Sequence, residues 1–412
     1  MRILFLSRWF PYPANNGAKI RIFNLLRHLA ARHELVLLSF ASEAVTAADL
    51  AVLRQYCRQV AVAPYRPFQP NRLQALAGFF AAKPRSVIDT YSQELHALVE
   101  QTCREQPFDL VIASQIDMVP YAQLVPDARK IFEEIEVTVF YDRFVRQQPL
   151  PQKLRSGLTW WKLSRYVAGL LRAFDGCTVV SAQEQARVRQ IVPDYANIQV
   201  VPNGVDVAHY AQDFGPPAPD TLIYSGALTY GPNFDAMQFF LGEIFPLIQA
   251  QRPAVKLAIT GKLDGVPIER LPERRNVTFT GYLDDIRPTL AHSWVNIVPL
   301  RQGGGTRLKI LEALAAGTPV VATAKGAEGL DLLPEQEILQ ADTPAAFAAT
   351  VLRLLDDADL RARLSRQGRQ AVAARYDWSR IGQQFNEFIE AVAAPTRTRP
   401  AVRHPDMSAE RA

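Results

Sequence analysis

Short, β-branched apolar runs alternate with longer helical segments along most of the chain, and this alternation limits the fold more than any other feature. A typical intervening segment is "AKIRIFNLLRHLAARH", in which the apolar residues recur at helical spacing. Strands joined by helices run parallel, in a sheet that helices cover on both faces. The strands predicted in the first half are "ILFLS" (3–7), "ELVLLSF" (34–40), "QVAVAP" (59–64), "DLVIAS" (109–114), "KIFEE" (130–134) and "GCTVVS" (176–181).

The second half of the chain repeats this scheme, and 412 residues are enough for two domains of ordinary size. The sequence therefore predicts an α/β protein with two doubly wound parallel-sheet domains. The strands predicted in the second half are "TLIYSG" (221–226), "VKLAITG" (255–261), "VTFTG" (277–281), "WVNIVPL" (294–300), "TPVVAT" (318–323) and "EILQA" (337–341).

The domain boundary is expected near residues 205–218, where "VVPNGVDVAHY" and "DFGPPAPD" interrupt regular structure. The Pro-, Arg- and Thr-rich end of the chain has the composition of a disordered tail. The expected division is a first domain at 1–205, a second at 206–376, a helix at 377–394 that returns to the first domain, and a disordered tail at 395–412.

The cysteine content and the hydropathy of the chain favour a cytoplasmic protein. Cys57, Cys103 and Cys177 form no C-x-x-C pair, and no clustered histidines accompany them, so neither a disulfide framework nor a metal site is expected. No apolar run approaches the roughly 18 residues that span a bilayer. Attachment to the inner face of a membrane remains open as a peripheral contact.

The stretch "RQGGGTRLKILEALAAGTPVV" (301–321) places three glycines directly before a predicted helix that starts near Thr306, with Arg307 and Lys309 in its first turn. Cations are unfavourable at a helix N-terminus, so these two require a counter-charge. Glycines allow positive φ angles and close approach to a ligand, and the helix terminus offers N–H donors to phosphate. A diphosphate would satisfy both cations, and Glu312, about one turn further on, could accept hydrogen bonds from ribose hydroxyls.

The same stretch is also compatible with an ordinary surface loop, in which Lys309 and Glu312 form a solvated pair worth only about 0.3–0.5 kcal/mol. Two better-known phosphate sites are excluded. The chain lacks G-x-x-x-x-G-K-[ST], and it has "SRWFPYPANNGAKIR" after the first strand where an NAD-binding protein would carry G-x-G-x-x-G.

Several further stretches, in the right order along nearly the whole chain, resemble the retaining GT-B glycosyltransferases of family 4, closest to the sugar transferases of bacterial exopolysaccharide clusters. The resemblance implies two Rossmann-like domains that face each other across a cleft, with a nucleotide-sugar on the second domain and the acceptor on the first. The stretches are "FPYPANNGAKIRIFNLLRHLA" (10–30), "VVPNGVD" (200–206), "YSGALTYGPNFDAMQFF" (224–240), "FTGYLDDI" (279–286) and "RQGGGTRLKILEALAAGTPVVATAKGAEGL" (301–330).

By this resemblance Arg307 and Lys309 are the catalytic residues that hold the donor diphosphate, and Glu312 binds the ribose. Gly281 and Tyr282 would contact the base, and Gly17 would face the phosphates across the cleft. The other donor-site positions are Gly226, Gly303, Gly304, Gly305, Thr306 and Leu308, and those on the acceptor side are Asn16, Lys19, Glu134 and Glu136. No metal and no resident cofactor is expected, the nucleotide-sugar being a co-substrate.

Two departures from the family pattern concern charge. Many relatives carry a second Glu eight residues before the ribose carboxylate, where this chain has Gly304. The loop after the first strand of the second domain, "GALTYGPN", also lacks the usual Arg and Lys. More of the phosphate charge therefore falls on Arg307 and Lys309. A double-displacement route would need a carboxylate nucleophile, and "FEEIEVT" (Glu133, Glu134 and Glu136) holds the only obvious cluster; the resemblance favours front-face transfer assisted by the leaving group.

The basic surplus lies in the first half, where residues 1–205 hold 24 Lys and Arg against 17 Asp and Glu. Residues 143–172 carry seven basic residues and no acid, interleaved with Trp160, Trp161 and Tyr166, and residues 50–88 also lack acids. This composition is typical of interfacial membrane segments and predicts docking on anionic lipid. The alternative is that the tryptophans pack in the core and the arginines are solvated.

The sequence favours a glycosyltransferase that acts on a glycan or polyprenyl-linked acceptor. A non-catalytic nucleotide-sugar binder and a nucleotide-sugar epimerase on the same fold remain alternatives. Nucleic acid is not an expected partner, because charge alone supports it and no recognised motif accompanies that charge.

Overall fold

The computed structural model describes residues 1–73, 75, 78, 81, 83–146 and 149–394. Within them the chain forms two α/β domains, each built on one parallel sheet, so the predicted fold class is confirmed. The expected tail at 395–412 lies outside these residues.

The first domain contains a seven-stranded parallel sheet in the order β3-β2-β1-β4-β5-β6-β7. Two neighbouring central strands, Leu110–Ser114 over its full length and Arg2–Ser7 in all but its first residue, are buried, as expected for a sheet that helices cover on both faces. The last strand was not among those predicted. The strands are Arg2–Ser7 (β1), Glu34–Ala41 (β2), Gln59–Pro64 (β3), Leu110–Ser114 (β4), Arg129–Glu133 (β5), Gly176–Val179 (β6) and Ile198–Val200 (β7).

The second domain contains a six-stranded parallel sheet in the order β10-β9-β8-β11-β12-β13. In both sheets the order reverses beside the first strand of the domain, which is the topological switch point where open α/β sheets bind ligands. The strands are Thr221–Ser225 (β8), Lys256–Thr260 (β9), Val277–Gly281 (β10), Val295–Val298 (β11), Val320–Ala322 (β12) and Leu339–Gln340 (β13).

Helices connect the strands and cover the two sheets. Those of the first domain are Gly17–Ala30, Ala47–Leu53, Arg85–Asp89, Gln93–Glu105, Val119–Ala122, Thr138–Val145, Leu150–Leu171 and Ala182–Ile191. The linker and second domain carry Val207–Tyr210, Gly231–Phe239, Phe245–Gln251, Arg287–Ala291, Leu308–Ala316, Ala324–Ala327, Pro344–Asp356 and Ala358–Arg375, with a π-helical turn at Phe240–Ile244.

The last helix, Trp378–Ala393, leaves the second domain and packs against the helix Gly17–Ala30 of the first. Gly382 makes this close approach possible, since a Cβ there would lie 2.2 Å from Cγ of His28. The side chain of Asn386 donates to the carbonyl of His28 at 3.1 Å. The chain thus crosses between the domains twice, and the two crossings pair side by side where the amide of Val205 donates to the carbonyl of Tyr376 at 2.9 Å.

None of the helices in the described part of the chain has both the length and the apolarity needed to cross a bilayer.

Candidate functional site in the interdomain cleft

A cleft of about 340 Å³ separates the carboxyl ends of the two sheets. One wall includes the loop after β11 that contains Gly303, Gly304 and Gly305, named here the glycine loop. The segments that follow β5 and β6 form the other wall. Residues of the first domain that line it are Glu136, Thr138, Val139, Asp142, Arg143, Arg146, Val180, Ser181, Gln183 and Glu184. Those of the second domain are Tyr230, Pro232, Gln302, Gly303, Gly304, Gly305, Thr306, Lys325, Glu328 and Gly329.

The glycine loop adopts a backbone that other residues tolerate poorly. Gly303 and Gly305 have φ angles of 101° and 79°, in the left-handed region. The helix that follows begins at Leu308, two residues later than predicted, so Arg307 occupies the N-cap position and Lys309 the first turn. The opening of this helix faces the first domain, because a Cβ on Gly17 would lie 3.4 Å from a methyl group of Leu308.

Arg307 is buried and binds the backbone of its own loop. Its guanidinium donates to the carbonyls of Gly304 at 2.6 Å, Gly303 at 3.0 Å and Lys325 at 3.3 Å. Its Nε has no hydrogen-bond partner in the described structure. Burial lowers the pKa of Arg307. The resemblance predicted that the guanidinium would bind the diphosphate, but both of its Nη groups donate to backbone carbonyls. These hydrogen bonds stabilise the conformation of the glycine loop.

Lys309 extends from the first turn of the same helix to the carboxyl end of β8. Its Nζ donates to Oη of Tyr224 at 3.0 Å and to Oδ1 of Asn233 at 3.1 Å, and it lies 4.1 Å from the centre of the Tyr224 ring. Gly226 stands directly beside it, since a Cβ there would be 2.6 Å from Nζ. Burial, together with the charge of Arg307, lowers the pKa of Lys309 to about 7.

The hydrogen-bond partners of Lys309 are both neutral. Among the residues that the structure describes, no carboxylate lies within 4.0 Å of its Nζ, and its third N–H has no protein acceptor. The nearest opposing charge is Glu312, one turn further along the helix, which acts through space. An ammonium group held by a phenol and an amide at the ligand-binding edge of a parallel sheet is well suited to an anion.

Glu312 is half-buried and hydrogen-bonds with Tyr210, which belongs to the short helix of the domain linker. Burial raises the pKa of Glu312, against the opposing effects of the Lys309 charge and this hydrogen bond. Sequence reasoning did not identify Tyr210. At the end of β10, Gly281 has a φ of 73°, and the adjoining Tyr282 ring is 56% exposed. An exposed aromatic ring at this edge can stack on a flat base.

The carboxylates of the first domain have three different environments. Glu133 is fully buried, where it accepts from Nε of Arg21 and from Oγ of Ser114, both at 2.6 Å. Burial and the charge of Glu133 raise the pKa of Glu134 to about 8, although Arg21 opposes this shift. Glu136 is exposed to the cleft, whose walls, together with Glu184, raise its pKa.

The backbone around Glu134 is strained. Glu134 and Gln115 have φ angles of 63° and 75°, which are uncommon for residues with a side chain. They follow β5 and β4, and the Gln115 amide donates to Oε2 of Glu134 at 2.7 Å. Such strain is concentrated at functional sites. Of the other acceptor-side predictions, Asn16 uses its side chain to cap the helix Gly17–Ala30 by accepting from the amide of Lys19, and Lys19 is half-buried on that helix.

Arg21 and Asn203, which sequence reasoning assigned no role, connect the first domain to the glycine loop. Nη1 of Arg21 donates to Oδ1 of Asn203 at 3.0 Å and to the carbonyls of Val201 and Pro202. The Asn203 amide then donates to Oγ1 of Thr306 at 2.9 Å. Both residues fall within the quoted family stretches, which were the available signal, but nothing local indicated that they meet.

A second unpredicted link crosses the cleft. The ammonium of Lys325 lies 3.4 Å from a carboxylate oxygen of Asp142 on the opposite wall, and it also pairs with Glu328. Within the described ranges, no group of three or more His, Cys, Asp or Glu side chains is placed to hold a metal ion.

Comparison with known families gives one match for each domain. Residues 15–209 match the family described as Glycosyltransferase Family 4, and residues 219–357 match the one described as Glycosyl transferases group 1. The division between the two matches falls at the linker.

Individual relatives are distant. An uncharacterised 44.6 kDa protein of the cps region of Klebsiella pneumoniae is 19% identical over 375 residues, which is 85% of this chain and 90% of that protein. A GDP-mannose-dependent monoacylated α-(1-6)-phosphatidylinositol monomannoside mannosyltransferase of Corynebacterium glutamicum is 25% identical over 53% of this chain, and the match spans 62% of that enzyme.

Solved structures resemble the whole chain. The crystal structure of Anabaena HepE in complex with UDP has a TM-score of 0.66 at 18% identity, covering 95% of this chain and 100% of that one. This likeness in fold extends across both domains.

Proposed function

This chain belongs to the two-domain glycosyltransferases of the GT-B fold, and we propose that it transfers a hexosyl group from a nucleotide-diphosphate-sugar to a glycan or lipid-linked acceptor. The transfer retains the anomeric configuration and requires no metal ion. The pathway proposed is the synthesis of a polysaccharide or glycolipid, which the cps-region relative supports.

The observation that carries this proposal is the position of Lys309. Its ammonium lies beside Gly226, at the strand end where open parallel sheets bind ligands, and it has one N–H without a protein acceptor in the described structure. A diphosphate would supply the missing acceptor and the counter-charge. Lys309 thus places a positive charge beside the loop "GALTYGPN", which lacks the basic residues expected from the family resemblance.

Each part of the site has a task in this reaction. The departing diphosphate gains negative charge in the transition state, which Lys309 and the amides at the start of the helix Leu308–Ala316 would stabilise. Arg307 maintains the glycine loop and adds positive charge. Glu312 would accept hydrogen bonds from the ribose, and Tyr282 would stack on the base.

The carboxylates of the first domain favour front-face transfer over double displacement. Glu133 is committed to its ion pair with Arg21. Burial raises the pKa of Glu134 and so favours its protonated form, and a protonated carboxyl group is not a nucleophile. Glu136 lines the cleft and is assigned to the acceptor side, where it can orient a hydroxyl group.

Two classes of donor, UDP-sugars and GDP-sugars, are candidates for this site. HepE was crystallised with UDP, and the Corynebacterium enzyme depends on GDP-mannose. The first experiment is therefore a panel of UDP- and GDP-sugars scored by thermal shift, in which a ligand at 100 times its Kd adds about 2.7 kcal/mol to the free energy of unfolding.

Donors that bind are then tested for release of the nucleoside diphosphate, with and without membrane extract as a source of acceptor, and the anomeric configuration of the product is read by NMR. Binding without release would identify a nucleotide-sugar binder, which the Gly304 departure supports as the second candidate. Conversion of the donor sugar without an acceptor would identify an epimerase. An inverted product would refute the retaining mechanism.

A further inference from the structure

The helix Leu150–Leu171 has an apolar face that no described residue covers. Leu150, Leu154, Leu158 and Trp161 are 69%, 65%, 51% and 52% exposed. At 3.6 residues per turn these four side chains fall within about 80° of arc, so they form one stripe, named here the exposed stripe.

The opposite face of the same helix is the one that packs against the domain. Its buried residues are Ser156, Leu163, Val167, Leu170 and Leu171. Trp160 also turns inward, with its ring 5.3 Å from that of Tyr141, and Gly157 lies against the Phe144 ring. From the sequence, both tryptophans were predicted either at the membrane surface or in the core. In the structure they differ, because Trp160 packs on the protein and Trp161 is exposed.

Basic side chains surround the exposed stripe. Lys153, Arg155 and Arg165 are exposed, and none of them forms an ion pair within the described part of the chain. The guanidinium of Arg165 lies 5.1 Å from the centre of the Trp161 ring. Residues 143–172 contain no acid at all.

The combination of exposed apolar and basic side chains favours one kind of binding partner for this surface. A cationic surface around Leu and Trp side chains is complementary to a bilayer that carries anionic headgroups, which accept the arginines while the apolar side chains enter the acyl boundary. An apolar protein partner would cover the leucines but would leave the uniform positive charge unexplained.

We propose that the exposed stripe and its flanking Lys153, Arg155 and Arg165 dock the first domain on an anionic membrane surface. The neighbouring helix Thr138–Val145 and the residue after it place Arg143 and Arg146 on the wall of the cleft, so docking brings the cleft to the lipid surface. If the proposed transfer is correct, this position suits a lipid-linked acceptor, but docking itself does not depend on it. The other acid-free region predicted to join this surface, 50–88, includes residues 74, 76, 77, 79, 80 and 82, which lie outside the described residues.

The test is sedimentation of the full chain with vesicles of phosphatidylglycerol and phosphatidylcholine, compared with vesicles of phosphatidylcholine alone. We expect binding to the anionic vesicles that weakens as salt is added. The double variant Leu154→Glu/Leu158→Glu should bind at least tenfold more weakly, because it replaces apolar side chains by charges that anionic lipid repels.

A matched control introduces the same two changes elsewhere. Leu247 and Leu333, on the second domain, are 41% and 46% exposed, so Leu247→Glu/Leu333→Glu should bind vesicles like the wild type. Equal loss in both double variants, or no wild-type binding at low salt, would overturn the proposal. A wild-type dimer that Leu154→Glu/Leu158→Glu converts to a monomer would also overturn it, because a second copy would then cover the stripe.

Release of nucleoside diphosphate from a soluble donor is measured in the same proteins. It should be unchanged in both double variants, since none of the four leucines lines the cleft. Vesicle binding without donor turnover would refute only the transferase proposal, whereas turnover without vesicle binding would refute only the docking surface.

Discussion

A Cβ atom on Gly304 would lie 2.4 Å from Cγ2 of Val139, a residue of the opposite domain. The position where the family resemblance predicts a glutamate is therefore closed by a side chain that crosses the cleft. Gly304, which has no side chain, and the branched side chain of Val139 thus pack against each other between the domains.

This contact makes the replacement Gly304→Ala informative. We expect the added methyl group to force the two walls apart and to reduce donor turnover, with overpacking that costs about 1–3 kcal/mol. The variant Gly304→Ala/Val139→Ala should recover most of the loss, because the nearest remaining atom is then Cβ of residue 139, 3.8 Å away. Turnover of all four members of the cycle is the measurement, and strictly additive effects would contradict the contact.

Lys309→Met tests the anion site. The change removes the charge and retains the length of the side chain, so the fold should persist, and kcat should fall by about 10²–10³ as for the loss of one preorganised donor. Circular dichroism and donor turnover are compared with those of Lys262→Met, which removes an ammonium from the neighbouring strand end. Near wild-type turnover in Lys309→Met would disprove the assignment.

The pKa of Lys309 predicts a dependence of donor binding on pH. The group is charged below a pH of about 7 in the free protein and neutral above it, so affinity for a nucleoside diphosphate should fall as the pH rises through that value. The bound anion favours the charged form, and binding above this pH should take up protons. Calorimetry in buffers of different ionisation enthalpy measures this uptake, and Lys309→Met should abolish it.

The same shift has an opposite consequence for stability. The unfolded state holds the Lys309 proton up to an ordinary pKa of 10.5, so between pH 7 and that value it binds more protons than the folded state. The free energy of unfolding that Lys309 contributes therefore rises with pH across this window. Urea titrations of wild type and Lys309→Met at several pH values should diverge in this direction.

The buried pair of Arg21 and Glu133 is expected to be costly to break. Burial disfavours the charged form of Arg21, but the acidic residues that face it, Glu133 above all, outweigh burial and raise its pKa. Arg21→Met would leave the buried Glu133 carboxylate without its partner, and we expect the free energy of unfolding measured by urea denaturation to fall by about 3–5 kcal/mol. Arg21→Met/Glu133→Gln should be more stable than Arg21→Met alone; if it is not, the ion pair is not the source of the loss.

Thr306→Val examines the link from the linker to the glycine loop. The substitution keeps the shape and removes the hydroxyl that accepts from Asn203. A single hydrogen bond contributes about 0.5–1.5 kcal/mol, so the melting temperature should change little, while donor turnover should fall severalfold because the loop loses its support. Thr306→Ser retains the hydroxyl and should restore turnover, and failure to do so would remove the hydrogen bond from the explanation.

Local patterns in the sequence were sufficient to predict the two parallel sheets. Apolar periodicity and glycine or proline breaks act over a few residues, so a strand such as β1 or the helix after Gly305 can be read without knowledge of its partners. The order of the motifs was enough to indicate the family, and the comparisons confirm it.

Only the tertiary structure decided what each charged side chain does. Glu133 and Glu134 are adjacent in sequence, yet one is an ion-pair partner of Arg21, 112 residues away, and the other has a pKa raised to about 8. Arg307 looked available for a ligand until the fold brought the Lys325 carbonyl to it. The state of a charge depends on its burial and on the groups that surround it, and those groups come from distant parts of the chain.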